Sequence, residues 1–181
     1  EGICNRLPAT RGALVRRVAE KLEAIAEGSL SVDDVNFFGR SPFNRYYYSI
    51  FLQIRDVLKA KNPDWARIAH KTAPEVLKGA VLKEIKKTIE GQVKSSLLSQ
   101  SEGAAMAARA NGILIELSDL LAEAYLVRCD ADYEPEYLAE RINGAIVMRE
   151  KKLSAAATWP RRVDLKLGEL QRVWRNLGFT I

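Results

Sequence analysis

The fold of this 181-residue chain is decided by one stretch of sequence, Ser41-Pro-Phe-Asn-Arg-Tyr-Tyr-Tyr-Ser-Ile-Phe-Leu-Gln-Ile-Arg-Asp-Val-Leu58. Its apolar side chains recur at intervals of three and four residues, which is the spacing of one face of an α-helix. Ser41 followed by Pro42 resembles a helix N-cap with proline at the first helical position. The stretch therefore predicts an amphipathic helix that begins at Ser41 and continues to about Lys61.

Helical periodicity extends over almost all of the chain. Arg11 to Glu27 is predicted to be a first amphipathic helix, with the apolar stripe Leu14, Val18, Leu22 and Ile25. Ser29 to Arg40 follows as a predicted connector. Start and stop signals then indicate further helical segments over residues 63–70, 74–93, 104–129 and 136–157, and a last apolar face within 160–178.

Strand alternation is almost absent from this pattern, so the predicted fold class is all-α. We expect one helical bundle of about five to six helices that spans residues 1–181. Its core would cover about residues 10–157, with a C-terminal helical extension at about 160–178.

Composition limits the function classes. The chain is 48% hydrophobic and 28% charged, which is typical of a folded domain with a substantial core. Its net charge of +5 and pI near 9.3 permit an anionic partner such as RNA. Cys4 and Cys129 are far apart and have no metal-ligand spacing, and no stretch is long and apolar enough for a membrane span. These features predict a soluble, cytoplasmic protein without a membrane partner.

The common catalytic motifs are missing from the sequence. It has no glycine-rich phosphate loop, no HExxH and no GxSxG elbow. One histidine and two cysteines are too few for a typical zinc site. We therefore expect neither a cofactor nor a metal.

The candidate catalytic residues are Asn44, Arg45, Arg67 and His70, and His70 is the only histidine. An arginine can bind a phosphate through two N–H groups, an amide can orient it, and an imidazole can transfer a proton near neutral pH. Each residue also has a structural interpretation. His70 would pack or cap a short connector, and Arg45 would pair with Asp130 or Asp132 after the long helix. At least one residue of Tyr46–Tyr48 should belong to the core.

Three short motifs together resemble the HEPN domains, a family of small all-α domains. Asn44-Arg45-Tyr-Tyr-Tyr-Ser-Ile-Phe51 is similar to the signature that opens the second helix of that family. His70-Lys71 resembles the His-Lys pair that often follows it. The segment Leu126-Val-Arg-Cys-Asp-Ala-Asp-Tyr-Glu-Pro135 resembles the element near the end of the penultimate helix.

The resemblance implies a bundle of four to five helices that forms a homodimer. The family includes metal-independent ribonucleases of toxin–antitoxin, CRISPR and antiphage systems, and non-catalytic members that accompany nucleotidyltransferases. Tyr47, Arg128, Asp132 and Tyr133 match its motifs and would support a ligand or the structure. The ribonucleases place an arginine several residues before a histidine, whereas only Ile68 and Ala69 separate Arg67 from His70.

A basic cluster near the C-terminus is a separate candidate for nucleic-acid binding. It contains Lys151, Lys152, Arg161 and Arg162 beside Trp159, and few acidic residues lie near it in the sequence. A solvated helix face is the alternative interpretation of any such cluster.

Three hypotheses about function stay open. The first is a HEPN ribonuclease, a toxin or defence effector, that acts on RNA. The second is a catalytically silent HEPN module that binds a nucleotide or associates with a nucleotidyltransferase or a larger defence complex. The third is an unrelated helical regulator in which the tyrosines only fill the core.

Overall fold

Helix α2 (Val32–Lys61) is the centre around which the other elements pack. The computed structural model describes residues 10–179. In this part of the chain five long helices pack together in one mostly helical domain, with two four-residue helices and a small three-stranded sheet beside them. The predicted helical bundle is confirmed, and the sheet is an addition that the prediction lacked.

The prediction that α2 begins at Ser41 is wrong, as is the predicted connector from Ser29 to Arg40. The helix begins at Val32, and Ser31 is its N-cap because the Ser31 hydroxyl accepts a hydrogen bond from the Asp34 N–H at 3.3 Å. Two acidic residues in the first turn favour this start through the helix dipole. Pro42 lies inside the helix and is buried, although proline lacks the N–H that would bond the preceding turn.

The other helices follow the predicted order with shifted boundaries. The structure contains α1 (Arg11–Gly28), a 3-10 turn (Pro63–Arg67), α3 (Ala73–Val76), a π-helical turn (Leu77–Val81), α4 (Leu82–Lys94), α5 (Gln100–Tyr133), α6 (Leu153–Ala156) and α7 (Trp159–Asn176). Helix α5 begins earlier than predicted because Ser99 and Glu102 form a reciprocal capping box. Helix α7 contributes buried Val163, Leu170 and Trp174 to the same core as α2 and α5.

A β-hairpin replaces most of the helix predicted over residues 136–157. Strands β1 (Ala139–Ile142), β2 (Ala145–Met148) and β3 (Lys151–Lys152) form an antiparallel sheet in this order. Asn143 and Gly144 have φ angles of 50° and 79° between β1 and β2. Asn-Gly tolerates this left-handed backbone well and is a strong hairpin signal. The Asn143-Gly144 turn therefore favours two paired strands here, although the spacing of apolar residues predicted a helix.

Helix α1 is confirmed, but it packs on α2 through small residues and not through its apolar stripe. Gly12, Ala19 and Ala26 are buried, whereas Leu14, Val18 and Ile25 are each nearly half exposed. The small residues let the two backbones approach closely, and the Ser49 hydroxyl of α2 donates a hydrogen bond to the Gly12 carbonyl at 2.9 Å. Close backbone packing therefore decides which face of α1 is buried.

Within residues 10–179, no helix combines the length and the apolar character needed to cross a bilayer. Cys4 lies outside the described residues.

The close approach of α1 and α2 predicts different effects for two glycine substitutions. A Cβ at Gly12 would lie 2.9 Å from the Ser49 carbonyl oxygen, so Gly12→Ala must displace backbone and should lower the free energy of unfolding by about 1–2 kcal/mol. Gly28→Ala is the matched control, because nothing lies within 4 Å of its Cβ position. It should leave stability unchanged or raise it by up to about 1 kcal/mol. Urea denaturation followed by circular dichroism measures both, and equal losses would contradict the packing described.

Candidate functional site

One face of α2 carries most of the polar and aromatic side chains of the candidate site. It contains Arg40, Asn44, Tyr48, Phe51 and Arg55, spaced by three or four residues along the helix. Such spacing places side chains in one row, because an α-helix has about 3.6 residues per turn. The last turns of α5 and the segment that carries His70 contact this row.

Aromatic side chains surround the His70 imidazole. The ring stacks on Phe51 with centroids 3.8 Å apart, and Tyr48 meets it edge to face at 5.1 Å. The Tyr47 hydroxyl lies 2.7 Å from His70 Nδ1. A hydroxyl group can donate or accept, so this bond is compatible with either neutral tautomer and with the protonated ring. The imidazole is therefore fixed in position while Nδ1 keeps a partner in each protonation state.

Burial and two arginines keep His70 neutral. Burial lowers its pKa below the ordinary value of 6.5, and the positive charges of Arg128 and Arg55 lower it further. Burial also raises the pKa of Tyr47 above its usual range, so its hydroxyl keeps its proton. A bound anion would offset the positive charges of the two guanidinium groups and so stabilise this arrangement.

Arg128 lies in the last turns of α5, and its charge acts on His70. Its Nε lies 2.8 Å from Asp132 Oδ2 without a directed hydrogen bond, so the attraction is one of charge. Its Nη2 donates to the Tyr133 hydroxyl at 2.9 Å, and its guanidinium lies over the rings of Tyr133 at 4.8 Å and Tyr48 at 5.8 Å. Burial alone would lower the Arg128 pKa, but the bond to Tyr133 and the charge of Asp132 raise it overall.

Asn44 joins α2 to this network. Its amide group donates a hydrogen bond to the second oxygen of Asp132, while its own Oδ1 is buried without a donor among the described residues. Asn44 therefore holds the carboxylate that holds Arg128. Asn44 is thus linked to His70 only through Asp132 and the charge of Arg128, as a supporting residue.

The predicted pairing of Arg45 with Asp130 or Asp132 is wrong. Asp130 pairs with Arg149 at 2.8 Å, and Asp132 with Arg128. Arg40 occupies the position expected of Arg45, and its guanidinium donates to four backbone carbonyls at the end of α5, those of Asp130, Ala131, Glu134 and Pro135. Arg45 is exposed and lies about 100° around the helix from Asn44.

Arg67 is exposed at the end of the 3-10 turn. The side chains of Arg45 and Arg67 have no hydrogen bond or ion pair with any residue of the described part of the chain. The two arginines whose charges act on His70 are instead Arg55 and Arg128. Among the described residues Arg55 forms one ion pair, a long contact of 3.9 Å with Asp56, and its guanidinium lies 5.8 Å from the Phe51 ring centroid.

Fewer residues of the C-terminal basic cluster are available to a nucleic acid than the sequence predicts. Lys151 pairs with Glu123, and Trp159 is buried and therefore cannot stack on a base. Lys152, Arg161 and Arg162 are exposed.

Tyr46 is also buried, and its hydroxyl donates to the Glu23 carboxylate of α1. It therefore belongs to the α1–α2 contact and not to the His70 site. Tyr47 is fully buried, which leaves Tyr48 as the partly exposed member of the three.

Metal-ion chemistry has no evident ligand set in residues 10–179, where no group of three histidine, cysteine, aspartate or glutamate side chains converges. The side chains of the site offer one imidazole for proton transfer and two guanidinium groups that can bind phosphate oxygens.

Sequence reasoning missed Arg55, Phe51 and Arg40. Their signal was present in the sequence, since Arg40, Asn44, Phe51 and Arg55 share one helical row. It was hidden by the late start assigned to α2, which left Arg40 in a connector, and by treating Phe51 and Arg55 as ordinary positions of an amphipathic helix.

Comparisons of the chain with protein-family models, with curated proteins and with solved structures found no match. The arrangement of side chains around His70 is therefore the basis for the function proposed below.

The two aspartates near the end of α5 predict unequal effects on stability. Asp132→Asn removes the charge opposite Arg128, whose side chain is only 14% exposed, and should lower the free energy of unfolding by about 1–3 kcal/mol. Asp130→Asn is the matched control, because its partner Arg149 is 50% exposed, and should cost less than about 1 kcal/mol. Urea denaturation of both variants tests this, and a larger loss for Asp130→Asn would contradict the central role given to Asp132.

Proposed function

We propose that this protein is a HEPN-like protein of RNA biology that binds an RNA phosphodiester at the His70 site and cleaves it without a metal ion. The observation that carries this proposal is the position of the His70 imidazole, which the Tyr47 hydroxyl binds and Phe51 stacks on. Burial and the charges of Arg128 and Arg55 lower its pKa, which favours the neutral ring. The net charge of +5 is compatible with a polyanionic substrate.

The chemistry of RNA cleavage fits these groups. The ribose 2′-oxygen attacks phosphorus, the bond from phosphorus to the 5′-oxygen breaks, and a 2′,3′-cyclic phosphate and a free 5′-hydroxyl result. One group must take the 2′-hydroxyl proton and one must give a proton to the leaving 5′-oxygen. His70 would do one of these, through the nitrogen that Tyr47 does not bind. Arg55 and Arg128 would stabilise the charge that develops on the phosphorane oxygens.

A homodimer belongs to the same proposal. One chain has a single histidine and so supplies one of the two proton-transfer groups, whereas a two-fold dimer would bring a second copy of His70. We place such an enzyme in the cytoplasm, as a toxin or antiphage effector. Mixing with His70→Ala tests the composite site: after subunit exchange with an equal amount of that variant, the activity should fall to about a quarter of that of the same total amount of wild-type protein, whereas a fall to about one half would show that each chain acts alone.

The second candidate is a catalytically silent HEPN-like module that binds a nucleotide or associates with a nucleotidyltransferase or another defence component. The observation that favours it is the placement of Arg45 and Arg67, which are exposed and separate from the imidazole. A ligand would then occupy the His70 site without reacting.

The experiment that tests catalysis is incubation of the protein with mixed RNA in excess EDTA. We expect cleavage that leaves 2′,3′-cyclic phosphate ends. His70→Ala and Arg55→Ala should each lower the rate at least 100-fold, since each removes a group that acts on the transition state. Arg45→Ala is the matched control on the same helix, and should retain most of the activity.

Circular dichroism must show that each variant is folded. If the wild-type protein leaves RNA intact, the ribonuclease proposal is wrong and the catalytically silent module remains. If His70→Ala still cleaves RNA, the activity does not depend on this site. If only Arg45→Ala loses activity, Arg45 is catalytic, as the sequence analysis predicted.

A further inference from the structure

Tyr133 is an exposed aromatic residue that the reaction outlined above does not use. It is the last residue of α5, and 63% of it is exposed. Most other aromatic residues near the site are buried or half-buried, including Tyr47, Tyr48 and Phe51. Packing of the core therefore gives no reason for a large aromatic side chain at this position.

The Tyr133 ring is nevertheless held in place. Its hydroxyl accepts a hydrogen bond from Arg128 Nη2 at 2.9 Å, and the Arg128 guanidinium lies 4.8 Å from the ring centroid. Arg128 is itself fixed by Asp132, which Asn44 binds from α2. An exposed ring that is already oriented loses little conformational freedom when a flat ligand stacks on it.

Tyr133 is continuous with the His70 site. The Arg128 guanidinium that holds the ring also lies 5.8 Å from the Tyr48 ring, and Tyr48 contacts the His70 imidazole at 5.1 Å. A phosphate bound by Arg128 would therefore bring the neighbouring nucleoside close to Tyr133.

We propose that Tyr133 is a stacking platform for a nucleobase next to the phosphate that Arg128 binds. The inference rests on the proposed function and adds to it the residue that positions the base. Stacking on an aromatic side chain is the usual way in which proteins bind bases of single-stranded RNA, and it needs a base whose face is free of its neighbours. The bound nucleotide would therefore be unstacked, and Tyr133 would accept any of the four bases.

Fluorescence anisotropy with labelled RNA in EDTA tests this role, with His70→Ala as the background so that the RNA stays intact. We expect Tyr133→Ala to weaken binding of a single-stranded oligonucleotide by about 5- to 100-fold, the range measured for loss of one stacked base. Tyr133→Phe keeps the ring and loses only the hydroxyl, so its affinity should stay within about twofold of the background. Phe37→Ala, which removes another exposed aromatic residue, is the control for general loss of apolar surface.

A second readout separates stacking from an indirect effect on Arg128. An oligonucleotide in which every nucleotide is abasic should bind the background protein more weakly than normal RNA, and Tyr133→Ala should lose most of this difference. A fully paired duplex should gain nothing from Tyr133.

The outcomes distinguish a failure of the stacking role from a failure of the proposed function. If the background protein binds no RNA, both fail. If it binds RNA but Tyr133→Ala binds equally well, only the stacking role fails. A loss in Tyr133→Phe as large as in Tyr133→Ala would also overturn the inference, because the bond to Arg128, and not the ring, would then carry the effect.

Discussion

The attachment of the end of α5 to the middle of α2 is the constraint on which the candidate site depends. Two arginines provide it from opposite sides. Arg40 of α2 binds the Asp130 and Ala131 carbonyls in the last turn of α5, where a helix lacks intrahelical donors, and the Glu134 carbonyl just beyond it. From the side of α5, Arg128 pairs with Asp132, and Asp132 accepts a hydrogen bond from Asn44 of α2. Because Asp132 and Tyr133 hold its guanidinium, Arg128 stays where its charge acts on His70.

The attachment also explains why the polar residues of α2 have separate tasks. Arg40 and Asn44 lie at one end of the row and hold α5. Further along the row, Phe51 stacks on His70 and the charge of Arg55 acts on it. Arg45 is outside the row and free for solvent. A ligand that binds at His70 would thus meet Arg55 and Arg128 from two different helices, and the geometry between them depends on how firmly α5 is held.

The sequence predicted much of this arrangement, and the misses have physical causes. Periodicity identified α1 and the bundle, and the two motifs around Asn44 and Arg128 do meet in space. The start of α2 was missed because Ser41-Pro42 is a strong local start signal, yet the helix continues through both residues and Pro42 is buried inside it. The hairpin was missed although Asn143-Gly144 marks it. The sequence places Arg55 in the helical row of Arg40 and Asn44, but its effect on His70 depends on where the 3-10 turn places the imidazole, and periodicity does not predict that position.

The most direct measurement is an NMR titration of the His70 ring, which is unambiguous because the chain has one histidine. Without ligand, His70 should titrate below 6.5, since burial and two arginines disfavour its charge. Saturation with a nucleoside 3′-monophosphate should raise its pKa, because a bound dianion stabilises the imidazolium. Arg55→Ala should raise the ligand-free pKa and weaken the response to the nucleotide. An ordinary pKa that the nucleotide leaves unchanged would contradict the anion site proposed at His70.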